Sequence, residues 1–464
     1  MREAEPYDKI AAIRLAQACF FKSGTTLEIS FRTSMLRKLQ AALEKWEKPL
    51  ADALWTDLHK SYEEAYMTEL SIVKGEIRNH IRNVNKWARR RKAPTQLKLF
   101  PSRSYVIKEP LGNALIISPW NYPVQLLLNP LVGAISAGCT AVLKPSPYVP
   151  HVSQTIADMI SETFPQEYIT VVQGHRDVNA ALLEQRWDMI FFTGSPALAK
   201  TVMSAASEHL TPLVLELGGK SPCIIDKTAD IAVAAKRIAW GKTLNSGQTC
   251  IAPDYILIHK EVKEAFVNAF AEEVLNLHGE DIKADKHYVR MVNNKAFERV
   301  TGYFKDGDII YGGRTDASER FIEPTLIENV PLDSPLMTEE IFGPVFPIIT
   351  IDDTHGSFKE KVIDFVTSRE KPLAFYYFGK ESDGWDIIRH TSSGGGCIND
   401  VIMHIANENI PFGGVGNSGM GRYHDKDSFE AFSHTRSIVS TGTWIDLPFR
   451  YMPYKMFNLV KKLL

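Results

Sequence analysis

Cys250 closes the segment Asn245-Ser246-Gly247-Gln248-Thr249-Cys250, a small polar loop on the carboxyl side of a helix containing Trp240. A glycine-bearing loop leaves a thiol accessible, and a thiolate attacks a carbonyl carbon. Free cysteine is also among the most buried residue types, so a structural thiol is the commoner reading of Cys250 taken alone. Glu216 ends the apolar run from Pro212 to Leu217 and is followed by Gly218-Gly219. Partial burial at a strand end raises a carboxyl pKa and suits it to general-base work. A surface carboxylate is the plainer alternative. Three further loops follow short apolar runs: Ser118-Pro119-Trp120-Asn121, Lys144-Pro145-Ser146 and Thr193-Gly194-Ser195-Pro196. Ser195 before Pro196 reads as an N-cap and first helical position, and an exposed helix N-terminus offers N–H groups and partial positive charge to a phosphate. No GxGxxG fingerprint accompanies it.

The elements that carry these loops alternate. Leu36, Leu39, Leu43, Leu50 and Leu54 recur at helical spacing, so the chain to about Lys92 is predicted to form two or three amphipathic helices. From Ala114 the pattern changes to the runs ALIIS, TAVLK, ITVVQ and MIFFTG, each separated by enough chain for a helix. That alternation predicts a parallel, doubly wound sheet, in which ligands bind beyond the carboxyl ends of the strands. A second alternating unit follows Gly218-Gly219, a plausible hinge: CIID, a helix from about Asp230, YILIH, a helix from about Glu261, then VFPIITI, LAFYYFG and GGGCIND. FSHTRSIVSTG reads as an exposed strand suited to a subunit interface. No internal repeat of fixed period is visible.

Composition narrows the field of functions. The 464 residues are 44% hydrophobic and 23% charged, which excludes disorder for the bulk of the chain and predicts two or three packed units. Lys plus Arg number 53 against 55 Asp plus Glu, a net charge of −2, so no global field holds nucleic acid or an anionic membrane. The basic run Trp87-Ala88-Arg89-Arg90-Arg91-Lys92 reads as a solvated helix end, with a nucleic-acid module as the competing non-enzymatic reading. Cys19, Cys139, Cys223, Cys250 and Cys397 are few, odd in number and widely spaced, and no metal-ligand spacing appears; this predicts free thiols in a cytoplasmic protein. Pro110 to Leu143 carries no charge, but Pro119, Pro123 and Pro130 and four amides argue against a membrane span.

PWNYP (Pro119 to Pro123), KPS (Lys144 to Ser146), FTGS (Phe192 to Ser195), ELGGK (Glu216 to Lys220), GQTC (Gly247 to Cys250), EEIFGP (Glu339 to Pro344) and PFGG (Pro411 to Gly414) occur in this order. Together they resemble the aldehyde dehydrogenase superfamily from about residue 50 to the end. The segment DLHKSYEEAY (Asp57 to Tyr66) and the ending WIDLPFRYMPY (Trp444 to Tyr454) are similar to its class 3 branch of fatty and aromatic aldehyde dehydrogenases. The resemblance implies an α/β fold with a Rossmann-like NAD(P)-binding domain (1–92 and 110–217), an α/β catalytic domain (218–420), a small β oligomerisation arm (93–109 and 433–443) and a C-terminal tail (444–464). It implies that Cys250 attacks an aldehyde, that the Asn121 side chain and the Cys250 N–H hold the oxyanion, and that Glu216 deprotonates the water that hydrolyses the thioester. It further implies cofactor contacts from Trp120, Lys144, Ser146, Gly194, Ser195, Leu217, Glu340 and Phe342, with no metal.

Two positions depart from the family pattern. Pro147 stands where many NAD-preferring relatives carry an acid, so NADP is expected to be accepted alongside NAD. Gly421-Arg422-Tyr423-His424 lacks the Glu that longer relatives often carry after Gly-Arg, and has no catalytic reading of its own. Tyr62, Tyr66, Tyr122 and Trp240 lie near motif segments and favour medium or long aliphatic and aromatic aldehydes; core packing accounts for some of them. The class 3 likeness implies a homodimer, with a tetramer left open. The tail KMFNLVKKLL reads as a short helix over the substrate entrance, with weak peripheral attachment to membrane through Lys455, Lys461 and Lys462 as the alternative. Rival functions are a CoA-acylating aldehyde dehydrogenase, against which Glu216 argues, and a non-catalytic relative, against which Cys250, Asn121, Glu216 and Glu340 argue together.

Overall fold

In the computed structural model, residues 4–454, 457, 458 and 461 are described. Lys455 and Lys462, on which the tail readings lean, lie outside them. Four long N-terminal helices form where two or three were expected, Ala4–Lys22, Ile29–Lys45, Glu47–Leu58 and Ser71–Ala88, and the leucines that recur at helical spacing lie in the second and third of them. Leu36, Leu39, Leu43, Leu50 and Leu54 are all completely buried, which explains the spacing: one stripe of each helix faces the core. Between the last two helices the chain makes one turn of α-helix, Tyr62–Ala65, and a π turn, Tyr66–Leu70.

The apolar runs become a six-stranded sheet. Its order is Gly419–Met420, Leu213–Glu216, Met189–Thr193, Asn113–Ile117, Thr140–Lys144 and Ile169–Val171. All pairings are parallel except the edge pairing of Gly419–Met420 with Leu213–Glu216. Every residue of the three central strands is buried, as expected for strands covered on both faces. Helix Gln125–Ala137 is buried at every position, so the uncharged stretch from Pro110 to Leu143 is the centre of a domain. No helix among the described residues is long and apolar enough to cross a membrane.

The chain leaves strand Asn113–Ile117 in one direction to build Thr140–Lys144 and Ile169–Val171, then returns to its other side with Met189–Thr193. The crevice between Asn113–Ile117 and Met189–Thr193 is therefore the switch point, where ligands bind beyond the strand ends. Loops 118–121 and 194–195 leave from those two ends.

After Gly218-Gly219 the chain builds a seven-stranded sheet in the order Asp308–Tyr311, Thr325–Glu328, Val345–Ile351, Tyr255–His259, Pro222–Ile225, Ala374–Phe378 and Gly395–Ile398. Only Asp308–Tyr311 is antiparallel. Helix Ile231–Thr243 starts where Asp230 caps Val233 N–H at 3.1 Å. The second expected helix spans Lys263–His278, after a short 3-10 turn at Lys260–Val262. A third sheet of Arg91–Ala93, Ser102–Pro110 and Ser433–Thr441 is antiparallel, and Ser433–Thr441 is its exposed edge.

Leu131 is completely buried in helix Gln125–Ala137, behind the crevice. Leu131→Ala is expected to destabilise the fold by about 2–5 kcal/mol through lost contacts and a residual cavity. The measurement is the urea midpoint followed by tryptophan fluorescence, and an unshifted midpoint contradicts this packing.

Candidate active site

Helix Ile231–Thr243 ends at a loop whose backbone does something unusual. Asn245, Ser246 and Gly247 have φ of +51°, +51° and +69°, three successive left-handed residues. Non-glycine residues held there cost of order 1–3 kcal/mol each unless their surroundings over-determine them. They are over-determined here. Asn245 Nδ2 donates to the carbonyls of Asn121 and Gln248, both at 3.0 Å. Gln248 Nε2 donates to the carbonyls of Asn245 (3.0 Å) and Arg290 (3.1 Å), and its Oε1 accepts from Val292 N–H at 3.1 Å. Ser246 Oγ donates to Val289 O. A side chain on Gly247 would strike the backbone of Gly343, so that glycine meets both a conformational and a space requirement.

The loop delivers Cys250 to a cavity of about 270 Å³. Asn121 arrives from the opposite side at the end of strand Asn113–Ile117, its Nδ2 donating to Gln248 O at 3.0 Å. Asn121 is 2% exposed. Burial pushes the Cys250 thiol up, and the Glu340 and Glu216 carboxyls add to this, while the N–H groups of Cys250 and Ile251 partly offset it. Those N–H groups are donors aimed at the sulfur's surroundings, the arrangement an oxyanion requires.

Glu216 ends strand Leu213–Glu216 on the same cavity. It is 3% exposed and neither carboxyl oxygen has a hydrogen-bond partner in the protein. Burial alone pushes its pKa well above the usual carboxylate range, so it waits protonated or as a strong base. Glu340 is half-buried with its Oε1 shielded from solvent and unpartnered, and desolvation of the carboxyl together with the Asp254 charge raises it to about 8. A Cβ on Gly218 would overlap the Glu340 carboxyl, so the glycine admits that group.

Phe342 sits at φ +47° and meets Trp120 edge to face, with ring centroids 5.4 Å apart. The segment carrying Glu340 and Phe342 is tied down by residues the sequence analysis gave no role. Lys220 pairs with Asp254 (2.5 Å) and donates to the carbonyls of Leu336 and Glu339, both at 2.8 Å. Asp254 Oδ2 accepts from Ile341 N–H at 2.9 Å. Arg299 donates to the carbonyls of Glu340 (3.2 Å) and Ile341 (2.8 Å), and also lines the cavity.

The cavity thus unites Asn121, Glu216 and Cys250 with Trp120, Gly194, Ser195, Leu217, Glu340 and Phe342. Ser195 Oγ caps Leu198 N–H at 3.4 Å, and helix Pro196–Ser207 points its N-terminus here. Gly194 has a reason internal to the protein: a Cβ would press on the Phe192 ring. Lys144 and Ser146 are not in this wall. They lie at the end of the neighbouring strand, where Lys144 pairs in register with Ile117. Burial lowers the Lys144 ammonium to about 8, and it donates to Pro145 O at 2.8 Å. Tyr122 is buried with its hydroxyl 2.8 Å from Thr249 Oγ1, whereas Tyr62 and Tyr66 are exposed.

The sequence profile described as "Aldehyde dehydrogenase family" matches residues 1–438. The chain is 44% identical over 446 residues to 4,4'-diaponeurosporen-aldehyde dehydrogenase of Staphylococcus aureus, covering 95% of this chain and 96% of that protein. It is 41% identical over 432 residues to "Aldehyde dehydrogenase, dimeric NADP-preferring" of Canis lupus familiaris, covering 93% and 94%. A solved structure, "Substrate bound state of Staphylococcus Aureus AldH", superposes with a TM-score of 0.95 at 43% identity, covering 98% of this chain and 99% of that one.

The raised Cys250 thiol has a consequence for reagents. Because only the thiolate reacts, iodoacetamide alkylation of Cys250 is expected to rise about tenfold per pH unit from pH 7 to 9 without levelling. Mass spectrometry of quenched samples follows it; a plateau below pH 8 would refute the raised thiol.

Proposed function

The chain belongs to the aldehyde dehydrogenase family, and on that footing we propose that Cys250, Glu216 and Asn121 carry out its reaction. It is an oxidoreductase that converts aldehydes to carboxylic acids with NAD or NADP. The observation that carries the residue assignment is the convergence of a thiol, two donor groups and an unpaired buried carboxyl on one cavity. Cys250 passes its proton to water, the resulting thiolate forms the S–C bond to the aldehyde carbon, and the carbonyl π pair moves to oxygen. Asn121 Nδ2 and the Cys250 N–H stabilise that oxyanion, as preorganised donors in a water-poor site do best.

The residues present fit a dinucleotide. The unpartnered Glu340 Oε1 is a free acceptor for a ribose hydroxyl, Ser195 and the helix N-terminus suit a pyrophosphate, and Trp120, Leu217 and Phe342 make apolar walls. Lys144 and Ser146, one strand away, suit the adenine-side ribose. When bound, the nicotinamide supplies the acceptor for the substrate's hydride. Glu216 then takes a proton from water, and the hydroxide attacks the Cys250 thioester and releases the acid. A carboxyl with no cationic partner is a base of the strength this step needs. Water, not CoA, is the acyl acceptor.

Several finer readings rest on the same ground. The exposed rings of Tyr62 and Tyr66, 6.1 Å apart beside the segment that touches the Cys250 loop, favour medium or long aliphatic and aromatic aldehydes. Pro147 offers no carboxylate to repel the extra phosphate of NADP. The five free thiols suit a reducing cytoplasm. A homodimer fits the nine-residue edge strand Ser433–Thr441, whose Val439 is 56% exposed, because long unpaired edges are normally covered.

With a medium-chain aldehyde or benzaldehyde, reduced nicotinamide and free acid are expected to appear in equal amounts without CoA, and NADP to support kcat/KM within about tenfold of NAD. A CoA requirement withdraws Glu216 as base. Cys250→Ala abolishes oxidation and leaves cofactor affinity unchanged; substantial turnover by that variant removes the nucleophile assignment. Sedimentation is expected at twice the chain mass of 52.2 kDa, with Val439→Asp shifting it to the monomer. A monomeric parent protein contradicts the interface.

A further inference from the structure

The two donors assigned to the oxyanion come from loops more than a hundred residues apart in sequence. Donors of this kind work only when held to within about 0.5 Å of the productive geometry. Between and beneath the two loops lies the turn from Lys60 to Leu70. Lys60 and Glu69 form an ion pair at 2.7 Å with both side chains completely buried. Lys60 Nζ also donates to the carbonyl of Asn121 at 3.1 Å and sits 4.2 Å above the ring of Tyr122. Glu69 Oε2 accepts from the N–H groups of Val124 (2.8 Å) and Gln125 (3.3 Å), at the start of helix Gln125–Ala137. One ion pair therefore grips both ends of the segment from Asn121 to Gln125.

The same turn reaches the other loop. Glu64 Oε1 accepts from Asn245 N–H at 2.9 Å, and Asn245 Nδ2 bonds the Asn121 carbonyl that Lys60 already holds. Tyr122, under the Lys60 ammonium, touches Thr249, the residue before Cys250. The π turn Tyr66–Leu70 brings Glu69 to this place, and π turns recur at functional positions. Burying two charges is costly unless every remaining donor and acceptor is used, and here the uses are backbone groups of the catalytic segment.

We propose that Lys60, Glu69 and Glu64 are positioning residues that lock the Asn121 loop to the Cys250 loop, so that the Asn121 amide and the Cys250 N–H converge on the aldehyde oxygen. The proposal rests on the roles given above to Cys250 and Asn121. It separates two reactions of the same thiol. Aldehyde addition develops charge on oxygen and needs the convergence; alkylation by iodoacetamide displaces iodide, develops no oxyanion and does not.

The experiment compares the full-length parent with Lys60→Met, and with Lys48→Met, which breaks only the exposed Lys48–Asp52 pair, as a control. In Lys60→Met, kcat/KM for aldehyde is expected to fall about thirtyfold or more, approaching the loss of one oxyanion donor. The Cys250 alkylation rate and NAD affinity stay within about threefold of the parent. Lys48→Met changes none of these. If Lys60→Met does not fold, Glu64 decides: Glu64→Ala loses about tenfold in kcat/KM with alkylation kept, and Glu64→Gln, which still accepts from Asn245, restores it. Turnover near the parent value in folded Lys60→Met or in Glu64→Ala overturns the proposal. So does an alkylation rate that falls in step with turnover. Activity of Cys250→Ala, measured alongside, strikes instead at the nucleophile assignment.

Discussion

Three consecutive left-handed residues, Asn245 to Gly247, are a conformation that a free chain does not hold, and much of the neighbourhood is arranged to impose it. The imposing groups come from everywhere: Glu64 from the N-terminal helices, Asn121 from the first sheet, Arg290 and Val292 from the second unit. The strained loop is thus a convergence point, and the Cys250 thiol sits at its exit. A relaxed loop would let the thiol adopt several positions; this one permits few.

The second constraint is electrostatic. Two carboxyls on the cavity wall, those of Glu216 and Glu340, have shielded oxygens without a partner in the protein and so are free to accept from whatever enters. Around them the charges are fully engaged. Lys220 and Asp254 neutralise one another while gripping the segment that carries Glu340, and Arg299 spends its donors on that segment's carbonyls. The protein fixes the backbone of the site with engaged side chains and leaves carboxyl oxygens of Glu216 and Glu340 without partners.

The sequence revealed those parts of this design that depend on near neighbours. Strands buried on both faces are short apolar runs, and the loops at their ends keep their chemistry within a few residues, so Asn121, Ser195, Glu216 and Cys250 stood out locally. The doubly wound topology followed from the alternation, and the aldehyde dehydrogenase resemblance supplied Glu340 and Phe342, whose loop has no periodic signal. Lys60, Glu64 and Glu69 could not be read because the groups they hold in the two loops lie between 55 and 181 positions away and their own segment looks like an ordinary charged helix. The π turn also breaks the spacing by which a buried face is recognised. Asp254 and Arg299 were hidden for the same reason. Gly218 was legible as a glycine needing explanation, but the explanation, room for a carboxyl from more than a hundred residues away, belongs to the folded state.

The strand Gly419–Met420 closes the edge of the first sheet against Leu213–Glu216, and Ser418 O receives the N–H of Leu217 next to Glu216. Ser433–Thr441 likewise pairs with Ser102–Pro110, more than three hundred residues upstream. During synthesis the ribosome therefore emits both lobes before it emits the pieces that finish them. At about 5–20 residues per second, roughly ten seconds or more separate Glu216 from the strand that covers its backbone. A nascent chain can therefore display the crevice and the Cys250 loop while the edge of the first sheet beside Glu216 is still open, and that edge closes only when Gly419–Met420 emerges some two hundred residues after Glu216.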